Sequence, residues 1–374
     1  MITANEKRLL PYWKQAIRRP QPRGGGPQHI FFAVCDHFEP LGPNGSKSQA
    51  VCDQRVQNWL RRWPELAGRF RDCEGRSPCH SIFYPAETAE GASRYVPMLR
   101  PLLETGRAEL EIHLHHRDDN EAGLRQALCE FRDYLHSEHG ILGTDAEGRP
   151  RFGFIHGNWA LCNSRSDGDW CGVDNELSVL LDSGCYADFT FPSIPSETQP
   201  RRFCNDLYLS RDLGGRPRSH DFGRRAALGL QPTAEELLLV QGPVGINWRS
   251  RKFGLIPRIE NADLSGSNPP TDHRMGLWLR SHIHVAGRPE WQFIKLHTHG
   301  CVEANTEVLL GGPLMKTLSR LCDSFNDGRR FALHFVSARE MYNLAAAAMS
   351  GLPSDAVLEG RDFQIRPPGI RQDL

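Results

Sequence analysis

Residues 29–37 read His-Ile-Phe-Phe-Ala-Val-Cys-Asp-His, and this short stretch decides the predicted fold. An unbroken apolar run of this length is typical of a β-strand buried on both faces, as in the parallel sheets of α/β proteins. The run ends in a carboxylate and an imidazole, Asp36 and His37. Since ligands bind at the carboxyl ends of parallel strands, the stretch predicts a buried strand that carries polar groups to a site.

Outward from this strand, strand-like and helix-like segments alternate. Residues 120–139 carry the clearest helical pattern, because Leu124, Leu128, Phe131 and Leu135 recur at helical spacing and a glycine follows at the C-cap position. Roughly eight strand candidates alternate with helices, which favours a parallel sheet with right-handed crossovers. We therefore predict an α/β fold closed as a (β/α) barrel, with an open doubly wound sheet as the alternative.

The predicted barrel domain covers residues 29–350. Residues 1–28 are polar and end in prolines and a triple glycine, so we expect an N-terminal arm or linker. Residues 351–374 are expected to form an irregular C-terminal tail. Within the barrel domain, residues 192–236 show weak periodicity and residues 242–270 are predicted as loop.

Composition narrows the class of protein. The 374 residues carry 45 basic and 45 acidic side chains, and without a clustered basic excess we expect no nucleic-acid partner. No stretch approaches the roughly 18 apolar residues of a membrane-spanning helix, and the N-terminus lacks the apolar core of a signal peptide. The eleven cysteines form no CxxC pair, so we expect reduced thiols and a cytoplasmic location. The sequence leaves the oligomeric state open.

The densest histidine cluster is Glu111-Ile-His-Leu-His-His116. On a strand, His113 and His115 point to the same side and can share one zinc-type metal ion. His116 would point the other way, unless the strand has already ended.

Three other strand ends carry candidate site residues. Asp36 could ligate the metal, act as general base or cap a turn. His297 and His299 follow an apolar strand and could supply a general acid, a third ligand or neither. His156, Asn158 and Trp159 offer a donor, an amide and a flat apolar face, which suit a sugar subsite, although Trp159 could equally pack in the core. Glu39 is left without a role.

The order of these motifs resembles the polysaccharide deacetylase superfamily, the NodB-homology or carbohydrate esterase family four group. The motifs are the Asp36-His37 strand end, Glu-Leu-Glu-Ile-His-Leu-His, Cys-Tyr-Ala-Asp-Phe-Thr-Phe-Pro and Lys-Leu-His-Thr-His. The likeness covers roughly residues 29–300 and is greatest to the divergent deacetylase-like proteins found with bacterial surface-polysaccharide genes.

The resemblance implies a distorted, usually seven-stranded (β/α) barrel, a divalent metal that is most often zinc, and hydrolysis of an acetyl group from a sugar. It implies Asp36 as the base and His37 as a substituted metal ligand, in the place of the family's second aspartate. It also implies His113 and His115 as metal ligands and His297 as the acid, with His299 as second choice. An Arg-x-Pro-Tyr type motif is missing, and His-Gly-Asn-Trp stands in its place.

We therefore hypothesise a metal-dependent carbohydrate deacetylase, most directly an N-acetyl hydrolase, in bacterial surface-polysaccharide metabolism. The expected partner is an acetylated sugar or glycan precursor. One alternative is another barrel metal hydrolase, an amidohydrolase or phosphoesterase, although those families usually carry HxH on the first strand. The other alternative is a catalytically inactive sugar-binding homologue.

Overall fold

The structure is a computed structural model that describes residues 11–14, 26–42 and 47–371. Most of the predicted N-terminal arm, and the last three residues of the predicted tail, lie outside the described residues.

One mixed sheet forms the centre of the described fold. Its strands are β1 (Gln28–His37), β2 (His80–Pro85), β3 (Ala108–Leu114), β4 (Phe152–His156), β5 (Cys185–Asp188), β6 (Leu207–Ser210), β7 (Arg224–Arg225), β8 (Leu237–Val240), β11 (Asp263–Leu264), β12 (Trp291–Thr298) and β13 (Phe331–Phe335). The order across the sheet is β11-β12-β1-β2-β3-β4-β5-β8-β6-β7, and β13 also pairs with β1. A separate hairpin consists of β9 (Gly245–Lys252) and β10 (Ile256–Glu260).

The helices connect these strands. They are α1 (Gln49–Ala67), α2 (Ala89–Glu104), α3 (Glu121–His139), α4 (Glu176–Asp182), α5 (Asp272–Ser281), α6 (Glu303–Leu309), α7 (Gly312–Phe325), α8 (Ala338–Ser350) and α9 (Val357–Gly360). No helix among the described residues is long and apolar enough to cross a membrane. All eleven cysteines are free thiols, as expected.

The first strand is buried on both faces, as its sequence predicts. Its side chains alternate between two apolar clusters, with Ile30, Phe32 and Val34 on one face and Phe31 and Ala33 on the other. On one edge, β12 runs parallel to it from the pair His29–Trp291 to the pair Asp36–Thr298. On the other edge, β13 covers the first half of β1 and β2 covers the second half.

The prediction of a closed (β/α) barrel is wrong. Among the described residues, the path of paired strands ends at β11 and β7, which do not pair with each other. Next to β5 the sheet accepts β8 in parallel and then β6 and β7 in antiparallel orientation. Both terminal strands have two residues, so they present few backbone groups for a further partner. The open-sheet alternative is closer to this arrangement.

Capping interactions stabilise both ends of α3, which agrees with its predicted helical pattern. The side chain of Asn120 accepts hydrogen bonds from the backbone N–H groups of Ala122 and Gly123, which caps the first turn. Gly140 adopts a left-handed φ of 64° at the C-cap. Likewise, Ser337 and Glu340 form a reciprocal capping box at the start of α8.

The prediction of loop over residues 242–270 is wrong, because β9, β10 and β11 lie there. The period-two pattern is weak in β9, whose outer half is exposed and rich in cations. Residues 192–236, where the periodicity is weak, contain β6 and β7, and β8 follows directly after them. In the tail, α9 and the buried Ile365 pack against the cluster around α8.

A buried carboxyl in β3 makes the stability of this fold depend on pH. Glu111 accepts hydrogen bonds from the Tyr186 hydroxyl and the Gly153 N–H, but burial raises its pKa from 4.5 to about 8. Between these values the folded state keeps a proton that the unfolded state releases. Stability therefore falls as the pH rises through this window, by about 1.4 kcal/mol per pH unit from this group.

We expect Glu111→Gln to flatten that pH dependence, because an amide does not ionise. Its oxygen can accept from the Gly153 N–H, and its NH2 group can donate to the Tyr186 hydroxyl oxygen. The free energy of unfolding, measured by urea titration between pH 5 and 8, should fall less steeply than in the wild type. Glu235→Gln, at an exposed position, is the matched control. Parallel curves for Glu111→Gln and the wild type would contradict the assignment.

Candidate metal centre

The carboxyl ends of β1, β3 and β12 bring a group of imidazoles together. Parallel pairing places Asp36 opposite Thr298, so the next residues, His37 and His299, lie side by side. Their rings stack with centroids 4.5 Å apart and planes inclined by 28°. On the other side of His37, the ring of His113 packs edge-on at 4.7 Å.

The two ring nitrogens of His113 have different partners. Nδ1 lies 3.1 Å from the carbonyl oxygen of Ile155, and a carbonyl can only accept, so Nδ1 carries the ring proton. Nε2 lies 3.1 Å from Oε1 of Glu39. Burial lowers the pKa of His113 more than Glu39 raises it, so the ring is neutral. Two acceptor atoms then face each other, and a cation between them relieves the conflict.

His115 repeats the arrangement nearer the surface. Its Nδ1 lies 2.6 Å from Oε1 of Glu87, and its Nε2 lies 3.5 Å from Oε1 of Glu39. Burial lowers the pKa of His115, but Glu87 and Glu39 together raise it above its ordinary value. A carboxylate on one nitrogen and a free second nitrogen is how proteins orient imidazoles for metal binding or proton transfer.

The donor set fits a divalent metal. One potential ligand atom each from His37, Glu39 and His113 lies within 4.8 Å of the other two. In a tetrahedral zinc site the distance between neighbouring N and O ligands is about 3.3 Å. The 3.1 Å between Nε2 of His113 and Oε1 of Glu39 is close to this value. Nδ1 of His37 is also buried without a hydrogen-bond partner among the described residues. We call His37, Glu39 and His113 the sheet-edge site.

Glu39 is the member that sequence analysis left without a role. It lies two residues after the end of β1, at the start of a turn in which the Gly42 N–H donates to the Glu39 carbonyl. Burial raises its pKa, but the facing His113 and the other imidazoles nearby lower it more, so the carboxylate is ionised. Its position two residues after His37 was the available signal.

Asp36, the predicted base, is engaged on the other side of β1. Its Oδ2 lies 2.8 Å from Nε2 of His80, and its Oδ1 accepts a hydrogen bond from the N–H of Gly300 at 2.5 Å. His80 in turn packs against Trp59 with centroids 4.3 Å apart. These contacts tie β1, β2 and the turn after β12 together, so Asp36 supports the residues around His299.

The residues predicted as general acid and as sugar subsite do not all lie at the sheet-edge site. His299 is half-buried beside His37. His297 is buried, its Nδ1 has no hydrogen-bond partner among the described residues, and burial lowers its pKa well below the ordinary value. Trp159 is half-buried beside the sheet-edge site, 6.1 Å from the His37 ring and 6.2 Å from the His299 ring. Asn158 precedes it on the same turn.

His156 does not join Trp159. It belongs to a second, fully buried group that could hold a metal ion, formed by His116, His156, Cys171 and Glu176. We call it the buried site. Burial lowers the pKa of His116, but its contacts with Asp119, Cys171 and Glu176 raise it well above the ordinary value. Sequence analysis left His116 open and missed Cys171 and Glu176, which lie 55 and 60 positions further along the chain.

A third group, Asp72, Glu74 and His334, has a structural explanation. Asp72 accepts hydrogen bonds from the backbone N–H groups of Glu74, Arg76 and Phe335. Glu74 pairs with the buried guanidinium of Arg361 at 2.6 Å. These carboxylates are therefore already neutralised and hydrogen-bonded.

The chain matches no model of a known protein family and no curated protein. Its function therefore has to be argued from the geometry of the sheet edge and from the motifs there.

Proposed function

We propose that the protein is a metal-dependent hydrolase that removes an acetyl group, most directly an N-acetyl group, from a carbohydrate. The observation that carries this proposal is the approach of the neutral His113 Nε2 to the Glu39 carboxylate at 3.1 Å, beside the unpartnered His37 Nδ1. Three protein ligands leave one coordination position open, as in catalytic zinc sites. Zinc is the ion that best suits two imidazoles and a carboxylate in this geometry.

The flanking residues supply the proton transfers. When bound, zinc supplies Lewis-acid polarisation of the acetyl carbonyl. His115, oriented by Glu87 at Nδ1, takes a proton from the attacking water through Nε2. His299, which is half-buried, donates a proton to the departing amine. After product release, His115 loses its extra proton to solvent and His299 takes one up from solvent, which resets both rings. Asp36 holds the turn that carries His299 through its bond to Gly300.

Two features support a sugar as the substrate. Trp159 presents a flat, half-buried ring next to the imidazoles, and sugar rings stack on such faces. In addition, the order of the Asp36-His37, His113-Leu-His115 and Leu-His297 motifs resembles that of polysaccharide deacetylases. The proposed context is bacterial surface-polysaccharide metabolism in the cytoplasm.

The test is acetate release from a panel of N- and O-acetylated amino sugars and oligosaccharides. We expect activity that a chelator abolishes and that added Zn²⁺ restores. Release of phosphate from sugar phosphates in place of acetate would overturn the proposal in favour of a phosphoesterase. Tight binding of the same sugars by the metal-loaded protein without turnover would overturn it in favour of a binding protein.

Replacing Trp159 by alanine is expected to weaken substrate binding more than catalysis. Loss of a stacking face worth about 0.5–1.5 kcal/mol should raise KM about two- to tenfold with a smaller change in kcat. Trp170→Ala is the matched control, because Trp170 lies on the same loop with a similar left-handed φ but packs on Arg117. An equal rise in KM in both variants would show a general loop effect and contradict the sugar subsite.

A further inference from the structure

We infer that the buried site is a second, closed metal site for a zinc-type cation, with a structural role distinct from the sheet-edge site. Its four side chains are all buried. Three of their polar atoms, His116 Nε2, His156 Nε2 and Glu176 Oε1, have no hydrogen-bond partner within the described part of the chain. Buried polar atoms are rarely left unpaired, and here three of them point into one place.

The distances around Glu176 fit a coordination shell. Oε1 lies 3.4 Å from Nε2 of His116 and 3.8 Å from Nε2 of His156. Both values exceed a normal hydrogen bond but approach the spacing of about 3.3 Å between ligands of a tetrahedral zinc ion. The other carboxylate oxygen, Oε2, accepts a hydrogen bond from the N–H of Cys162 at 2.5 Å, which aims Oε1 inward.

The remaining ligands are oriented as metal sites require. Nδ1 of His116 lies 3.1 Å from Oδ2 of Asp119, so Nε2 is the free nitrogen. The thiol of Cys171 lies 3.4 Å from Oε2 of Glu176, and a bound cation would convert it to the thiolate that zinc prefers. The N–H of Asn158 lies 3.2 Å from Nδ1 of His156, so coordination through Nε2 requires the ring proton to move to Nδ1 and this contact to open.

The position of the site in the chain indicates its role. His156 ends β4, Cys171 and Glu176 follow the long irregular segment 157–170, and His116 comes from the turn after β3. Four non-glycine residues of that segment, Trp159, Cys162, Asn163 and Trp170, adopt left-handed φ values. Such backbone is costly and persists when its surroundings hold it. A cation joining both ends would fix the loop that presents Trp159 to the sheet-edge site.

The test compares metal content and a thiolate signature. Protein purified in zinc-supplemented medium should carry two equivalents of zinc. Cys171→Ser and Glu176→Gln should each lose one equivalent, and His113→Ala should lose the other. Cys185→Ser, which removes a buried free thiol of β5 outside both sites, should keep both.

Cobalt substitution keeps the inference falsifiable if the Cys171 variant does not fold. Cobalt-loaded wild type and His113→Ala should both show a thiolate-to-cobalt charge-transfer band, which Cys171→Ser lacks. A cobalt-loaded wild type without this band, or an unchanged zinc content in Cys171→Ser, would overturn the inference. The side chains of the buried site would then bind protons and no metal ion. The cobalt band of His113→Ala reports on the buried site alone, because this variant lacks the sheet-edge site. A wrong assignment of the hydrolase at the sheet-edge site would therefore leave this band unchanged.

An independent observation concerns the β9–β10 hairpin. Its tip exposes Phe253 (91%), Leu255 (79%) and Ile256 (60%), and Trp248 on β9 is 58% exposed. Four cations flank them, Arg249, Arg251, Lys252 and Arg258, all exposed and without a salt bridge to any described residue. Large exposed apolar side chains flanked by basic side chains are typical of segments that insert into an anionic membrane surface.

We propose that this hairpin docks on an anionic lipid surface, with its apolar tip in the interface and its cations on the headgroups. An acidic polysaccharide would satisfy the cations, but it would leave the three apolar residues of the tip in water. The lipid surface is therefore the occupant that the whole patch favours.

Vesicle co-sedimentation tests the docking. Full-length protein should bind phosphatidylcholine vesicles containing phosphatidylserine and not vesicles of phosphatidylcholine alone. The double substitution Phe253→Asn and Leu255→Asn should weaken binding at least about tenfold, and asparagine tolerates the left-handed φ at Phe253. Leu358→Asn, at an exposed leucine elsewhere, should bind like the wild type. Equal binding by the double variant, or binding to an acidic polysaccharide but not to anionic vesicles, would overturn the proposal.

Discussion

Replacing His113 by alanine is expected to release the metal ion from the sheet-edge site and to abolish acetate release. The imidazole supplies the Nε2 that faces Glu39, and its Nδ1 is anchored on Ile155. Loss of a supporting partner of a metal ligand costs about 10–100-fold, so loss of the ligand itself should cost at least about 100-fold in metal affinity and activity. Zinc titration of chelator-stripped protein and acetate release measure the two effects.

His136→Ala is the control for this substitution, because it removes an imidazole of α3 that belongs to neither metal site. It should bind zinc and release acetate as the wild type does. Wild-type zinc affinity of the sheet-edge site in His113→Ala would show that His113 is not a metal ligand there.

Replacing Arg339 by methionine is expected to give the largest loss of stability. The buried guanidinium makes two hydrogen bonds to Glu109 at 3.1 and 3.0 Å. It also donates to the backbone carbonyls of Arg361 and Ile365 in the C-terminal segment. Removing it takes the guanidinium away from the buried Glu109 carboxylate, and breaking a buried ion pair in this way typically costs about 3–5 kcal/mol. It also releases the segment that packs beside α8.

The free energy of unfolding from urea titration measures this effect. Arg149→Met is the matched control, since Arg149 forms ion pairs with Asp145 and Glu147 but is 66% exposed. Exposed pairs contribute about 0–1 kcal/mol, so the control should change little. Similar losses in the two variants would show that the Arg339 network does not hold the C-terminal segment in place.

The sequence correctly predicted strands and helices whose formation depends on interactions within one segment of the chain. The apolar run of β1 and the helical spacing and caps of α3 both identify structure within one segment. Closure of the sheet depends instead on which distant strands pair. The weak pattern around β6 and β7 did not reveal that these strands run antiparallel and leave the sheet open.

The candidate sites divide in the same way. Strand alternation predicted that His113 and His115 share a side and that His116 lies apart from them. In the structure β3 ends at Leu114, before His115. The His115 ring nevertheless packs on the His113 ring with centroids 4.5 Å apart, and His116 lies in the buried site. Proximity of Glu39 to His37 in sequence was too common a pattern to stand out. Cys171 and Glu176 meet His116 only because a long loop returns to the end of β3, and no spacing rule in the sequence predicts that return.

The central claim is that the sheet edge holds a catalytic metal ion. Anomalous difference density at the zinc edge, from crystals of the zinc-loaded protein, tests it most directly. We expect a peak about 2.0–2.2 Å from Nε2 of His113 and from an oxygen of Glu39, with His37 as the third ligand. Zinc-loaded crystals with no peak between these side chains would contradict it.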